Sequence, residues 1–298
     1  MTGYRMDQTL ALGPVELTVA DLDRSVAYYT QVAGFRLLDR QPQCAELGVQ
    51  TRVLVRLQEV PGAVAPPPSS PGLSHFAPLV PTRADVGRFA QRHLDAGLPI
   101  DPRDHIMSKS CYVTDPDGHE IEATWLCPQE EWQWTDEHLP VAVREPIAVQ
   151  DLLDEPGASV PAPLPDGTEM GHVQLKVTDV SLTHTKRFYC DLLGLDIFIR
   201  LGDGFAGVGV SDYRSLLVLT NRFSPDGGAP AGPDTARLTC VNLTLGTPEA
   251  IGALAERLAA AGHPHQREGH SLTTHDPSGN TLRFSVPSTA KPAPGAES

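Results

Sequence analysis

Histidine and the carboxylates are the side chains that bind divalent metals or move protons near neutral pH. Three of them stand in strand-like, apolar surroundings in this chain. His75 precedes Phe76, Glu122 lies between Ile121 and Ala123, and His172 sits within Met170-Gly-His-Val-Gln-Leu175. Taken singly, a histidine in such a place is more often a hydrogen-bonded structural residue, and a glutamate there often faces solvent. The five cysteines (Cys44, Cys111, Cys127, Cys190 and Cys240) are odd in number, far apart and without a CxxC pair. That is neither a disulfide framework nor a zinc motif, and it fits small thiols in a reducing compartment.

The elements that must position these residues come from an internal repeat. Leu12-Gly-Pro-Val-Glu-Leu-Thr-Val-Ala-Asp-Leu22 reappears as Met170-Gly-His-Val-Gln-Leu-Lys-Val-Thr-Asp-Val180, about 160 residues later. Each copy runs on to an aromatic pair and a glycine stop: Tyr28-Tyr29 with Gly34, then Phe188-Tyr189 with Gly194. A second repeat is nested between them. His93-Leu-Asp-Ala-Gly-Leu-Pro99 with Asp115-Pro-Asp-Gly-His-Glu-Ile-Glu122 matches Leu258-Ala-Ala-Ala-Gly-His-Pro264 with Asp276-Pro-Ser-Gly-Asn-Thr-Leu-Arg283. Four modules result, at about 12–57, 73–127, 169–221 and 237–287.

Each module reads as a strand, a helix and further strands. Val15, Leu17 and Val19 alternate with Glu16 and Thr18, as in a half-buried strand. Asp21 can cap the following helix, whose Leu22, Val26 and Tyr29 share one face, and Gly34 can end it. The Asp-Pro-x-Gly segments are tight turns into a last strand. Proline- and glycine-rich loops at 61–72 and 224–233 join the modules within each half. A lone βαβββ module exposes one sheet face, so modules must pair, and paired modules curl around a shared cleft. The expected fold is α+β: four βαβββ modules paired into two half-barrel domains at 10–127 and 169–287. Residues 128–168 connect them, and 288–298 form a disordered tail.

Composition narrows the function. With 298 residues, two domains of the usual ~100–200 residues are expected. The chain is 40% hydrophobic, yet no apolar run approaches the ~20 residues of a membrane helix. The start, Met1-Thr-Gly-Tyr-Arg-Met, lacks a signal-peptide pattern, so a cytoplasmic location is expected. Net charge is −14, from 23 basic against 37 acidic residues, with no basic cluster. Nucleic-acid and membrane partners are therefore disfavoured, while a homo-oligomer is compatible with the chain.

Five segments, in order, resemble the vicinal-oxygen-chelate superfamily of glyoxalase I, bleomycin-resistance proteins and extradiol dioxygenases. They are Gly72-Leu-Ser-His-Phe-Ala, Asp104-His-Ile-Met-Ser, Tyr112-Val-Thr-Asp-Pro-Asp-Gly, Glu131-Trp-Gln-Trp134 and Met170-Gly-His-Val-Gln-Leu. Within that superfamily they are most similar to two-domain catechol 2,3-dioxygenase-like proteins. The resemblance covers 12–287 and implies metal ligands on the first and last strands of modules. The matching positions are Pro14, His75, His172 and Cys240 on first strands, and Glu122 and Arg283 on last strands. Only His75, Glu122 and His172 among them are good ligands. Two imidazoles and one carboxylate suit non-haem Fe(II), with Mn(II) a chemical alternative. Glu122 and His75 belong to module two and His172 to module three, so the set converges only if modules two and three pair. Glu16, on the same strand face as Pro14, either replaces a lost ligand or faces solvent.

The resemblance further implies that Tyr112 and His105 act beside the metal and that Tyr112 touches the substrate; Tyr213 is a further candidate for substrate binding. Related ring-cleaving enzymes carry a late module-three histidine as acid/base. The corresponding stretch here reads Ser211-Asp-Tyr-Arg-Ser-Leu-Leu-Val218, without histidine. Asp212, Tyr213, His184, His270 or His275 could take that part. The leading expectation is an Fe(II)-dependent extradiol-type dioxygenase that joins O₂ to an aromatic diol or related enolisable substrate. The alternative is a metal-free small-molecule binding or resistance protein of the same fold. A glyoxalase-type lyase, which would want two glutamates, ranks third.

Overall fold

The computed structural model describes residues 4–160, 162–178, 183–210, 216–222 and 228–287. The tail at 288–298 lies outside them. Module one comprises β1 (Ala11–Val19), α1 (Leu22–Ala27), β2 (Arg36–Arg40), β3 (Cys44–Val49) and β4 (Arg52–Glu59). Module two comprises β5 (Gly72–Leu79), α2 (Arg83–Asp95), β6 (Asp101–Asp104), β7 (Ser108–Thr114) and β8 (Glu120–Leu126). The connection adds β9 (Glu145–Pro146) and α3 (Val149–Leu153). Module three has β10 (Glu169–Lys176), α4 (Thr183–Lys186), β11 (Asp196–Arg200), β12 (Phe205–Gly209) and β13 (Leu217–Thr220). Module four has β14 (Leu238–Thr244), α5 (Pro248–Ala260), β15 (His265–Glu268), β16 (Ser271–His275) and β17 (Thr281–Ser285).

The strands form two mixed sheets. One runs β15-β16-β17-β14-β1-β4-β3-β2, the other β11-β12-β13-β10-β5-β8-β7-β6-β9. Modules one and four therefore share a sheet, and two and three share the other. Each sheet joins the two halves of the chain through antiparallel first strands, β1 with β14 and β5 with β10. Alternation assigns the faces. Phe76, Ile121, Cys111, Val113, Val173 and Leu175 are buried in the core with Phe89 of α2. Their strand neighbours point the other way, into a cleft.

The local signals act as anticipated. The Asp21 carboxylate accepts a hydrogen bond from the Arg24 amide at 3.0 Å and caps α1. Gly34 and Gly194, at φ 86° and 77°, take the left-handed conformation that ends a helix. One feature departs from the periodic reading: α1 and α4 each continue as a π-turn, Tyr28–Val32 and Arg187–Leu192. The Ala33 amide donates to the Tyr28 carbonyl, and Leu193 to Phe188. The widened turn buries two consecutive aromatic residues in each copy, which a regular 3.6-residue helix would splay apart.

Those aromatics tie the modules of each half together. The Tyr29 hydroxyl donates to the Asp115 carboxylate at 3.0 Å, and Tyr189 donates to Asp276 at 2.9 Å. In both turns the aspartate also accepts backbone amides, from Asp117 and His119 or from Ser278 and Asn280. Arg92 caps the carbonyls of Thr30, Gln31 and Val32, and Arg257 those of Asp191 and Leu192.

The equivalent aspartates differ electrostatically. Burial would raise the Asp115 carboxyl, but the charge and hydrogen bonds of His119 bring it below its ordinary 3.8. Burial dominates at Asp276, where neutral Asn280 replaces the histidine, and raises that carboxyl. Lowering Asp115 favours its charged form, so its contribution is present above the ordinary value and lost as pH falls through the lowered one. Asp115→Asn should cost roughly 3–5 kcal/mol of stability at pH 7, as loss of a buried charged partner does. Asp276→Asn should cost at least ~1 kcal/mol less, because the folded state already disfavours its charge. Thermal melts of the two variants check this, and equal losses would refute it.

Candidate metal centre

His75 on β5 and Glu122 on β8 come from one module, and His172 on β10 from the other half of the chain. In the β5/β10 ladder His172 lies opposite Ala77 and Gln174 opposite His75. The two histidines are thus diagonal neighbours on one face, within reach of long side chains. In the parallel β5/β8 ladder His75 pairs with Glu120 and Leu79 with Thr124, bracketing Ala77 and Glu122. Buried Ala77 occupies the middle of the group, and its short side chain leaves room above it. The β10 register slips between Met170 and His172, around Gly171. A Cβ on Gly171 would lie 2.9 Å from Leu79 Cβ and 3.0 Å from the Ala77 carbonyl oxygen. Such a bulge re-aims the next side chain.

The result is a small triangle of donor atoms. His75 Nε2 and Glu122 Oε2 are 2.9 Å apart, His172 Nε2 and Glu122 Oε2 3.0 Å, and the two Nε2 atoms 3.1 Å. Ligand atoms ~2.1 Å from one ion stand about 3.0 Å apart at right angles and about 3.4 Å apart in a tetrahedron. The observed edges match three adjacent corners of an octahedron, the facial arrangement that leaves sites open. Hydrogen bonds along all three edges of so small a triangle could not be near-linear. The residues therefore fit a divalent cation.

A shell of polar contacts orients the donors. Glu120 Oε2 lies 3.4 Å from His75 Nδ1, on the far side of the ring from the triangle. It can hold the imidazole in place, as carboxylates beside metal-binding histidines do. His105 Nδ1 must donate to the Val143 carbonyl, 2.5 Å away, which frees Nε2 to face the Tyr112 hydroxyl at 3.0 Å and Glu122 Oε1 at 3.5 Å. The Arg144 guanidinium lies 4.7 Å over the Tyr112 ring.

The titration directions follow from burial and neighbours. Burial pushes His75 down, but the hydrogen bonds its ring donates to Glu120 and Glu122, with the charges of both carboxylates, outweigh it and bring it up to about 9. Burial likewise opposes charge on His105, and Glu122 and the Val143 carbonyl raise it overall. His172 is lowered, burial outweighing Glu122. Burial would raise Glu122, but His172, His105 and His75 hold it well below the carboxylate range. Tyr112 is raised by burial and then by Glu122.

The triad and the His105–Tyr112 pair line one cavity of 810 Å³. His75, Glu122 and His172 are also the one group of three potential metal donors within 4.8 Å of one another among the described residues. Asp212 and Tyr213 lie outside those residues. His270 and His275 belong to the other sheet's module, and neither they nor His184 line the cavity. Sequence reasoning missed Glu120. The signal was available, since two-residue alternation places Glu120 on the face of Glu122.

The cleft of the other sheet holds different chemistry. Glu16 is paired there: Arg283 Nη1 lies 2.9 Å and Arg56 Nη1 3.5 Å from its Oε1, and Asn242 donates to it at 3.0 Å. Glu16 is therefore held by cationic and amide partners of its own sheet. Cys240 is buried, and burial pushes its thiol up to about 12.

The profile of the Glyoxalase/Bleomycin resistance protein/Dioxygenase superfamily matches residues 11–123. A catechol-2,3-dioxygenase of Bacillus subtilis (strain 168) is 32% identical over 286 residues, covering 92% of this chain and 97% of the relative. The chain belongs to this superfamily. Solved structures share the fold. A putative dioxygenase from Bacillus subtilis subsp. subtilis str. 168 superposes with TM-score 0.63 at 12% identity, over 95% of this chain and 86% of that one. Glyoxalase I from Zea mays gives 0.58 at 19% identity, over 93% and 92%.

Gly171→Ala should lower Fe(II) affinity at least about tenfold while the fold persists, since the added methyl meets backbone and displaces His172. Gly13→Ala, at the equivalent bulge of the other sheet, should leave affinity unchanged. Calorimetric titration with Fe(II) under anaerobic conditions checks both, and undiminished affinity in Gly171→Ala would show that the bulge does not aim the ligand.

Proposed function

We propose that this chain is a metal-dependent extradiol-type dioxygenase, acting with O₂ on an aromatic diol or related enolisable substrate. The carrying observation is the nearly equilateral triangle of donor atoms from His75, Glu122 and His172, with edges of 2.9–3.1 Å, that lines a roomy cavity. The superfamily membership and the catechol-2,3-dioxygenase relative along nearly the whole chain support it. Those three residues would hold the ion, and Fe(II) is the metal whose chemistry suits the reaction, with Mn(II) as an alternative. The bound metal would supply Lewis acidity, a template for two substrate oxygens and an electronic path to O₂.

The chain's own groups have distinct parts. The Val143 carbonyl fixes the His105 ring, so that Nε2 is the nitrogen available to take a proton from a substrate hydroxyl. Tyr112, whose phenol is protonated near neutral pH, donates its hydroxyl hydrogen toward His105 or toward a substrate oxygen. Glu120 keeps the His75 ring turned so that Nε2 points at the triangle. His105 thereby stands in the cavity as the proton-moving histidine outside the ligand set.

The first test is metal content by mass spectrometry on anaerobically purified protein, with His75→Ala, Glu122→Ala and His172→Ala in parallel. Near-stoichiometric iron, lost in all three variants, is expected. Metal-free protein that fails to take up Fe(II) would overturn the proposal and leave a binding protein of this fold. A second test is oxygen uptake with a panel of diols. His105→Gln and Tyr112→Phe should each lower kcat by roughly 10²-fold or more with iron retained, the scale of a lost proton-transfer group. Unchanged turnover would remove these residues from the chemistry.

A further inference from the structure

A second cavity, of 460 Å³, adjoins that of the donor triangle, the two having Ser74 and Glu120 in common. Both halves of the chain build it. One sheet contributes Gly72 at the start of β5 and Lys176 at the end of β10, which are paired in the ladder. The other contributes Arg237, just before β14, whose amide donates to Thr18 Oγ1 at 2.9 Å near the end of β1. The repeat makes these the same junction, with Lys176 corresponding to Thr18 and Arg237 to Gly72. Each sheet thus places one cation there, and each cation has a neutral repeat partner. The ties that folding requires recur in both copies, whereas these two charges do not.

Neither cation is neutralised among the described residues. The Lys176 ammonium meets the Pro68 carbonyl at 3.4 Å, and burial lowers its pKa. Arg237 reaches carbonyls alone, Gly232 from Nε at 3.1 Å and Leu238 from Nη1 at 3.5 Å. The carboxylates in the lining are already engaged. Asp117 accepts from Arg24 at 2.6 Å, from Ser25 at 2.9 Å and from the Ala20 amide at 3.0 Å, and Glu120 lies 3.4 Å from His75 Nδ1. Taking a cation from water without a counter-charge is costly, so this cavity favours an anion, in a chain whose net charge of −14 otherwise repels one. Much of the remaining lining is apolar: Pro66, Pro68, Pro71, Leu73, Pro230 and Leu238. A bare phosphate would leave those side chains uncovered, and a hydrocarbon body would cover them. The volume lies within the roughly 300–1,000 Å³ usual for small-molecule sites.

We propose that this cavity binds a small organic carboxylate, its charge shared by Lys176 and Arg237 and its hydrocarbon body lying against the proline and leucine side chains. Such binding does not depend on the chemistry at the metal.

Calorimetric titration of the full-length, iron-loaded protein with benzoate and hexanoate tests it, with benzamide and inorganic phosphate as comparisons. At least one of the carboxylates should bind in the millimolar range or below, at least about tenfold more tightly than benzamide or phosphate. Lys176→Met and Arg237→Met should each weaken that binding at least about tenfold, the scale of removing one partner of a desolvated charge pair. Arg222→Gln, in the lining of the metal cavity, should leave it unchanged. Lys176→Met should also melt no lower than the parent, because its buried charge lacks a partner, which separates loss of binding from loss of fold. Affinity retained in both methionine variants, or lost in Arg222→Gln, would overturn the proposal. So would phosphate or benzamide binding as tightly as the carboxylates, or neither carboxylate binding at all.

Discussion

The antiparallel pairing of β5 with β10 is the constraint through which everything at the site is transmitted. It joins strands about a hundred residues apart in sequence, one from each half of the chain, and sets His172 against Ala77. A slip of one residue would turn every side chain of β10 to the other face, sending His172 into the core and Val173 into the cleft. Burial of Phe76, Val173 and Leu175 on the opposite face resists that slip, at about 1.5–3 kcal/mol for each large apolar side chain. The register of a hydrophobic ladder thus holds polar donor atoms within 2.9–3.1 Å of one another. Gly171 adjusts that register locally, because its missing Cβ lets the strands close where the bulge turns His172 inward.

The same scaffold carries opposite solutions in its two clefts. In the β5/β10 sheet a carboxylate and two imidazoles converge, and their charge and lone pairs call for a cation. In the β1/β14 sheet the chain supplies the cation itself, as Arg283 and Arg56 against Glu16. The repeat-equivalent bulge survives at Gly13, beside Asn242, but Pro14 follows it where His172 follows Gly171. The repeated modules therefore share geometry while, among the described residues, only the β5/β10 sheet carries the donor set. The ties within each half, tyrosine to aspartate and arginine to helix carbonyls, recur in both copies, which marks them as requirements of folding independent of chemistry.

The connection at 128–168 does more than join two halves. Through β9 it extends the β5/β10 sheet by one strand beside β6. It brings the Val143 carbonyl to His105, the Arg144 guanidinium over Tyr112 and Trp132 to the cavity wall. Trp132 lies in a segment that the resemblance marked, but neither Val143 nor Arg144 shows a functional signal in the sequence, since a carbonyl is common to all residue types and an isolated arginine is usually solvated.

What the sequence determined by itself was the set of parts. The repeats, the period-two strands, the Asp caps and the Asp-Pro-x-Gly turns marked four modules, because these signals depend on contacts a few residues apart. The resemblance singled out His75, Glu122, His172, His105 and Tyr112 as candidates, and they stand together around one cavity. Tertiary structure alone decided what lies between the parts. The sharing of sheets across the two halves, the slip at Gly171, the placing of Glu120 behind His75 and the neutralisation of Glu16 by Arg283 all depend on residues far apart in the chain. Those choices are made by burial and register over whole sheets, which no local pattern encodes. The π-turns at Tyr28–Val32 and Arg187–Leu192 belong there too, since only packing against another module makes it favourable to bury two consecutive aromatic side chains.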